Sequence, residues 1–381
     1  MIAQANRLNH VKEYYFSTKL KEVRAMQESG KDIINLGIGS PDLPPPPQVI
    51  TALNEALVNS AAHQYQPYKG TADFRKAIAE FYKNKYKVAL DQETEILPLM
   101  GSKEGITHIS MAFLNDGDEV LIPDPGYPTY TSVTNLVGAK AVYYPLNEEG
   151  NWLPDLESLA RKDLSKVKLM WVNYPHMPTG ASATDQVFRD LVEFGKTHNI
   201  LIVNDNPYSF ILNNEPKSIL QTEGAKEVVL ELNSLSKSFN MAGWRIGMLC
   251  GSEQNLNTVL KVKTNMDSGM FYPLQVGAAA ALRLNGNWFS EQNEIYQSRK
   301  EKVLELAEAL QCEPAKDQTG MFVWARVPSG TTSEAFVEFL LQKHNIFSAP
   351  GFIFGAMGEG YVRFSLCASE ENIERAIKRV K

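Results

Sequence analysis

Five short runs in the middle of the chain, residues 119–122, 141–144, 167–172, 200–203 and 228–232, are apolar almost throughout. Strands of that texture must be covered on both faces, which is the condition of a parallel sheet between two layers of helices. Helical stretches accompany them, at 48–59, 71–86, 104–114 and 183–198. The expected fold class is therefore α/β, with a mostly parallel sheet between helices forming a large domain over 45–286. From about residue 287 the texture changes: a long charged helix (288–310), a β-rich stretch (320–327), a helix (333–344), a strand (360–366) and a last helix (369–380). This predicts a smaller α+β domain, 287–381, which residues 1–44 are expected to join as an N-terminal arm.

Composition narrows the function. A formal charge of −6 over 381 residues argues against a nucleic-acid or anionic-membrane surface. Three cysteines, Cys250, Cys312 and Cys367, give neither a zinc pattern nor a disulfide framework, as expected for a reducing cytoplasm. The N-terminus carries Arg7, Lys12 and Glu13 and no apolar core of signal-peptide length, and no apolar stretch is long enough to predict a membrane span.

In open parallel sheets, ligands bind beyond the carboxyl ends of the strands. The residues in those places are Pro123-Asp124-Pro125-Gly126-Tyr127, Asn173 to Gly180, Asn204-Asp205-Asn206-Pro207-Tyr208, and Ser234-Leu235-Ser236-Lys237 with Arg245 close behind. A lysine between buried strands is costly unless neutral, paired or covalently occupied. An amine there can form a Schiff base with an aldehyde, and pyridoxal 5'-phosphate is the common biological one. Its protonated pyridine nitrogen needs a carboxylate, for which Asp205 is the candidate. Tyr208 can bond the 3-oxygen, and Tyr127 can stack on the ring. Gly101-Ser102-Lys103 opens a helix and suits the phosphate, with Ser234, Ser236 and Arg245. Arg363, inside an apolar strand, can grip a substrate carboxylate in a bidentate fork. Each feature alone has an ordinary reading: a surface lysine, a helix cap, a turn tyrosine. Their order and placement at successive strand ends carry the weight.

With these residues in place, the chain resembles the class I/II pyridoxal phosphate aminotransferases of fold type I over essentially its whole length. Asn35 to Asp42, Leu97 to Gly105, Pro123 to Tyr130, Ser234 to Gly247 and Lys263 to Gly269 carry the resemblance, and the LL-diaminopimelate aminotransferase-like branch looks nearest. It implies that Lys237 is the Schiff-base lysine and moves the substrate proton, with Asp205 and Tyr208 tuning the ring. Gly101, Ser102, Lys103, Tyr127, Ser234, Ser236 and Arg245 would hold the cofactor. Tyr65 would reach the phosphate of the other subunit, making a homodimer with shared active sites. Gly39, Arg363 and Met177 would border the substrate.

Met177 is a departure. The family pattern ends Asn-Pro-Thr-Gly, where the asparagine donates to the 3-oxygen; here it reads Met177-Pro178-Thr179-Gly180, and methionine offers only a weak acceptor. Either His176 supplies a donor instead, or Met177 fills space and Tyr208 alone holds the oxygen. The expected activity is ping-pong transfer of the α-amino group from an L-amino acid (diaminopimelate, aspartate or similar) to a 2-oxo acid such as 2-oxoglutarate. A lyase or racemase on the same fold is the alternative. A non-catalytic regulator is disfavoured, because family-like sequence starts near residue 30 and the charge is acidic. Loops 2–18, 37–44 and 265–272 are expected to select the side chain, and a diacid substrate would want a second cation, for which Lys103, Arg24 and Lys69 are candidates.

Overall fold

Seven strands build the central sheet: β1 (Ile96–Leu99), β2 (Glu119–Asp124), β3 (Lys140–Pro145), β4 (Val167–Val172), β5 (Leu201–Asp205), β6 (Val229–Ser234) and β7 (Gly247–Gly251). Their order across the sheet is β1-β7-β6-β5-β4-β2-β3. Neighbours from β6 to β3 pair in parallel, and β7 alone runs against both of its neighbours. These coordinates are a computed structural model describing residues 2–10 and 15–381, so Lys12 and Glu13 lie outside the described residues.

Alternate residues of each strand enter opposite cores. Leu169 and Trp171 face one side with Leu230 and Leu232, while Met170 and Val172 face the other with Ile202 and Val229. Both faces are apolar and covered, which is why these strands lack a polar side in the sequence. The helices begin and end on local chemistry. Thr184 caps the Asp185–His198 helix by accepting from the Val187 N–H, and Asn199 ends it at φ +53°. The helix expected over 71–86 is shorter: it spans Ala72–Phe81, and a wider turn with i→i+5 bonding follows at Tyr82–Tyr86. That turn brings both hydroxyls to the sheet, Tyr82 donating to Glu231 at 3.0 Å and Tyr86 accepting from Asn233 at 3.4 Å.

The second sheet is antiparallel, with β8 (Phe322–Arg326) and β9 (Tyr361–Ser365) at its centre. Segments from the beginning of the chain attach to this half. Ile34–Asn35 pairs in parallel with Ile346–Phe347. Lys19 on the Tyr15–Glu28 helix bonds Glu338 at 2.5 Å, and Arg299 holds Asp42 through two nitrogens at 2.7 and 2.9 Å. Among the described residues no helix is long and apolar enough to cross a membrane.

Candidate active site

Strands β2, β4, β5 and β6 end on one rim, and the segments that follow them wall a cavity of about 560 Å³. Ser102, Lys103, Tyr127, Met177, Asp205, Tyr208, Ser234, Ser236, Lys237, Arg245, Gly39 and Arg363 all line it. Gly101 lies one residue outside that lining, and Tyr65 stands away from it, 90% exposed.

Asp205 ends β5, buried at 5% exposure. Its Oδ2 accepts from the Tyr130 hydroxyl at 2.9 Å, while its Oδ1 is buried without a hydrogen-bond partner in the protein. Burial pushes this carboxyl up to about 6, against the opposing influence of the Tyr130 hydrogen bond and the Lys237 charge. An orphaned buried carboxylate oxygen is costly alone. A protonated ring nitrogen in the cavity would satisfy it.

Tyr130 is a site residue that motif reasoning passed over. It sits on the Pro128–Leu136 helix, three residues beyond Tyr127, with its ring stacked 4.8 Å from that of Trp171 at 5° and edge-on to Tyr127. The rigid stack fixes the hydroxyl on Asp205. Tyr130→Phe removes one hydrogen bond to a charged group, a contribution of about 1.5–3 kcal/mol. Cofactor affinity should fall roughly tenfold or more, and titration of the cofactor-free protein would show it.

Lys237 is on the short Leu235–Ser238 helix after β6, capped by Ser234, whose side chain accepts from the Ser236 N–H and bonds the Ser236 hydroxyl. Lys237 Nζ donates to the Gly39 carbonyl at 2.5 Å. Burial pushes its ammonium below the ordinary lysine value, and Arg363 and Arg245 press in the same direction. Across the cavity, the Ser102–Phe113 helix starts at Gly101 without a side-chain cap. Gly101 precedes it at φ +87°, and a Cβ there would lie 2.3 Å from Arg245 Nη2, so only glycine lets the guanidinium close over the helix start. An uncapped helix start, two serines, Lys103 and Arg245, with Lys237 and Asp205 on the same cavity, make a donor set that fits a phosphorylated aromatic aldehyde.

Arg363, 5% exposed, donates to the Gly37 carbonyl at 2.7 Å and to Met177 Sδ at 3.2 Å. Met177 thus touches the guanidinium. His176 is not among the residues that line the cavity: its Nδ1 is bonded to Thr179 Oγ1 at 2.8 Å, its Nε2 is buried without a hydrogen-bond partner in the protein, and burial holds its imidazole down near 3. Asn173 ties the strand ends, donating to the Asp205 carbonyl and accepting from the Met177 N–H at 2.8 Å. Behind the Ser102 helix, Glu104, His108 and Asp267 come within 4.8 Å of one another, but the Lys263 ammonium, 2.5 Å from Asp267 Oδ2, already supplies a cation.

The aminotransferase class I and II family profile matches residues 31–380, and the chain belongs to that family. It is an enzyme that transfers amino groups. Its relatives include LL-diaminopimelate aminotransferases. That of Dehalococcoides mccartyi is 39% identical over 99% of this chain and 97% of its own, and that of Aquifex aeolicus is 40% identical over 100% and 99%. Among solved structures, BacF of Bacillus subtilis superposes with a TM-score of 0.96 at 36% identity, covering 100% of this chain and 98% of that one.

Proposed function

We propose that the protein is a pyridoxal 5'-phosphate aminotransferase that works at the rim cavity, on an L-amino acid and a 2-oxo acid, by a ping-pong cycle. Bound there, the cofactor supplies an aldehyde and an electron-accepting ring. The observation that carries the reading is the buried, orphaned Oδ1 of Asp205 on the same cavity as Lys237.

Each residue then has one task. Asp205 keeps the proton on the ring nitrogen. Tyr208 donates to the 3-oxygen without help from Met177, and Tyr127 covers the ring face. Gly101, Ser102, Lys103, Ser234, Ser236 and Arg245 surround the phosphate. Arg363 binds the substrate α-carboxylate beside the Gly39 backbone. The Lys237 amine, favoured in its neutral form by burial, would take the substrate α-proton and hold it within the cavity for return. Tyr65, exposed on its own subunit, completes the phosphate site of a second copy, so the working form is a homodimer. The acidic surface and the reduced cysteines suit a cytoplasmic enzyme. The relatives' names point to diaminopimelate as a donor to assay first.

The test is incubation of the holoenzyme with an amino acid alone. Stoichiometric oxo acid, with the amino group retained on the cofactor, supports amino transfer; catalytic ammonia and pyruvate, or racemised amino acid, would sink it. Arg363→Lys keeps a charge but loses the planar fork. Its kcat/KM for amino acids should fall about 10²-fold, with cofactor affinity unchanged.

A further inference from the structure

Arg363 sits in a collar of aromatic rings. Its guanidinium centre lies 4.0 Å from the Phe322 ring, 4.8 Å from that of Phe354 and 5.8 Å from that of Phe16. A substrate whose carboxylate reaches this arginine is held beside these rings. Beyond the residues given to cofactor and carboxylate, the cavity is walled mainly by apolar side chains, among them Phe16, Leu20, Ile38, Phe322 and Phe354. Ser17 and Asn173 are the polar ones, and the Asn173 amide is engaged by the Asp205 carbonyl and the Met177 N–H. Phe16 and Leu20 lie one helical turn apart on the Tyr15–Glu28 helix and so share a face. Phe322 is pressed against the Gly39 backbone, where a Cβ would lie 2.3 Å from its Cζ.

The cations on the lining are Lys103, Lys237, Arg245 and Arg363, and each already has a place in the proposed cycle. Arg24 is exposed and Lys69 half-buried, and neither lines the cavity. Among the described residues, a distal carboxylate would therefore be desolvated against aromatic rings without a dedicated cation. A small number of polar groups that fix orientation, set in apolar walls, is the usual build of a small-molecule site.

We propose that the side-chain seat beside Arg363 is apolar, so that amino acids with apolar and above all aromatic side chains are amino donors and bind better than those with a second carboxylate. This extends the donor range of the amino-transfer reading and rests on it.

Unreactive carboxylates separate the two. With the holoenzyme in a calorimeter, 3-phenylpropanoate should bind about 10²-fold more tightly than propanoate, the scale of discrimination by an apolar pocket, and more tightly than succinate. Leu20→Ala should weaken 3-phenylpropanoate several-fold and leave propanoate unmoved. In single-turnover assays, phenylalanine should yield oxo acid faster than aspartate. Succinate binding as tightly as 3-phenylpropanoate, or aspartate outpacing phenylalanine, overturns the proposal while leaving amino transfer intact. Failure of every amino acid to yield oxo acid instead overturns the amino-transfer reading.

Discussion

Replacing Lys237 with alanine should abolish the visible absorbance of the enzyme-bound cofactor and slow amino transfer by at least the ~10²–10⁴-fold that a positioned proton donor supplies. The loss should be larger than that factor, because in the proposed cycle the same side chain also holds the cofactor covalently. Damage to the fold is a poor explanation for such a loss. The amine donates to the Gly39 carbonyl, and burial already disfavours its charge. A Lys237→Ala protein should therefore melt no lower than the parent when both are cofactor-free. Lys237→Arg is the companion variant: it keeps a cation at the site, but guanidinium does not deprotonate in a protein, so it cannot take the α-proton. Retention of full activity in either variant, measured as oxo acid released, would remove Lys237 from the chemistry.

Asp205→Asn should separate stability from activity. The folded-state carboxyl titrates at about 6, against roughly 3.9 for an unperturbed aspartate. Because the folded value is the higher one, the cofactor-free protein loses stability as pH rises from about 4 through 6. Above that range the charged, buried carboxylate costs about 3 kcal/mol. Asparagine carries no such charge and can still accept from Tyr130. Cofactor-free Asp205→Asn should therefore melt a few degrees above the cofactor-free parent at pH 8, and the difference should vanish near pH 4. The same variant lacks the charge proposed to hold the ring proton, and amino transfer should drop about 10²–10³-fold, the scale of losing one preorganised electrostatic partner. Calorimetric scans at two pH values, with turnover measured alongside, check both halves. An unchanged melting temperature at pH 8 would show that the carboxylate is not strained.

The rim was legible because a parallel sheet obliges its strand ends to converge. Once 119–122, 167–172, 200–203 and 228–232 read as neighbouring strands, Tyr127, Asp205 and Lys237 had to face a common space. Other parts lacked a local signal. The Tyr272–Leu282 helix, with four consecutive alanines and most of its residues buried, has no polar face to reveal a helical period. The Gly247–Gly251 strand runs antiparallel, a choice made by its neighbours rather than by its own residues. Tyr130 and Tyr127 look alike in sequence, and only the stack on Trp171 directs the former to Asp205. His176 looked able to supply a donor, but its bond to Thr179, three residues on, closes a turn within its own loop. Phe16 and Phe322, both around Arg363, are brought together by tertiary packing across nearly the whole chain.

The attachment of the first helix to the far end of the chain has a consequence for how such a protein diversifies. The groups proposed to run the reaction stand at the ends of central strands, where each change disturbs two cores. Phe16 and Leu20 instead stand on an outlying helix pinned by contacts such as Lys19 to Glu338. Drift at those two positions falls where the helix meets Phe347 rather than on the ends of the central strands. A lineage is then free to retune its diet by small steps while inheriting its reaction unaltered.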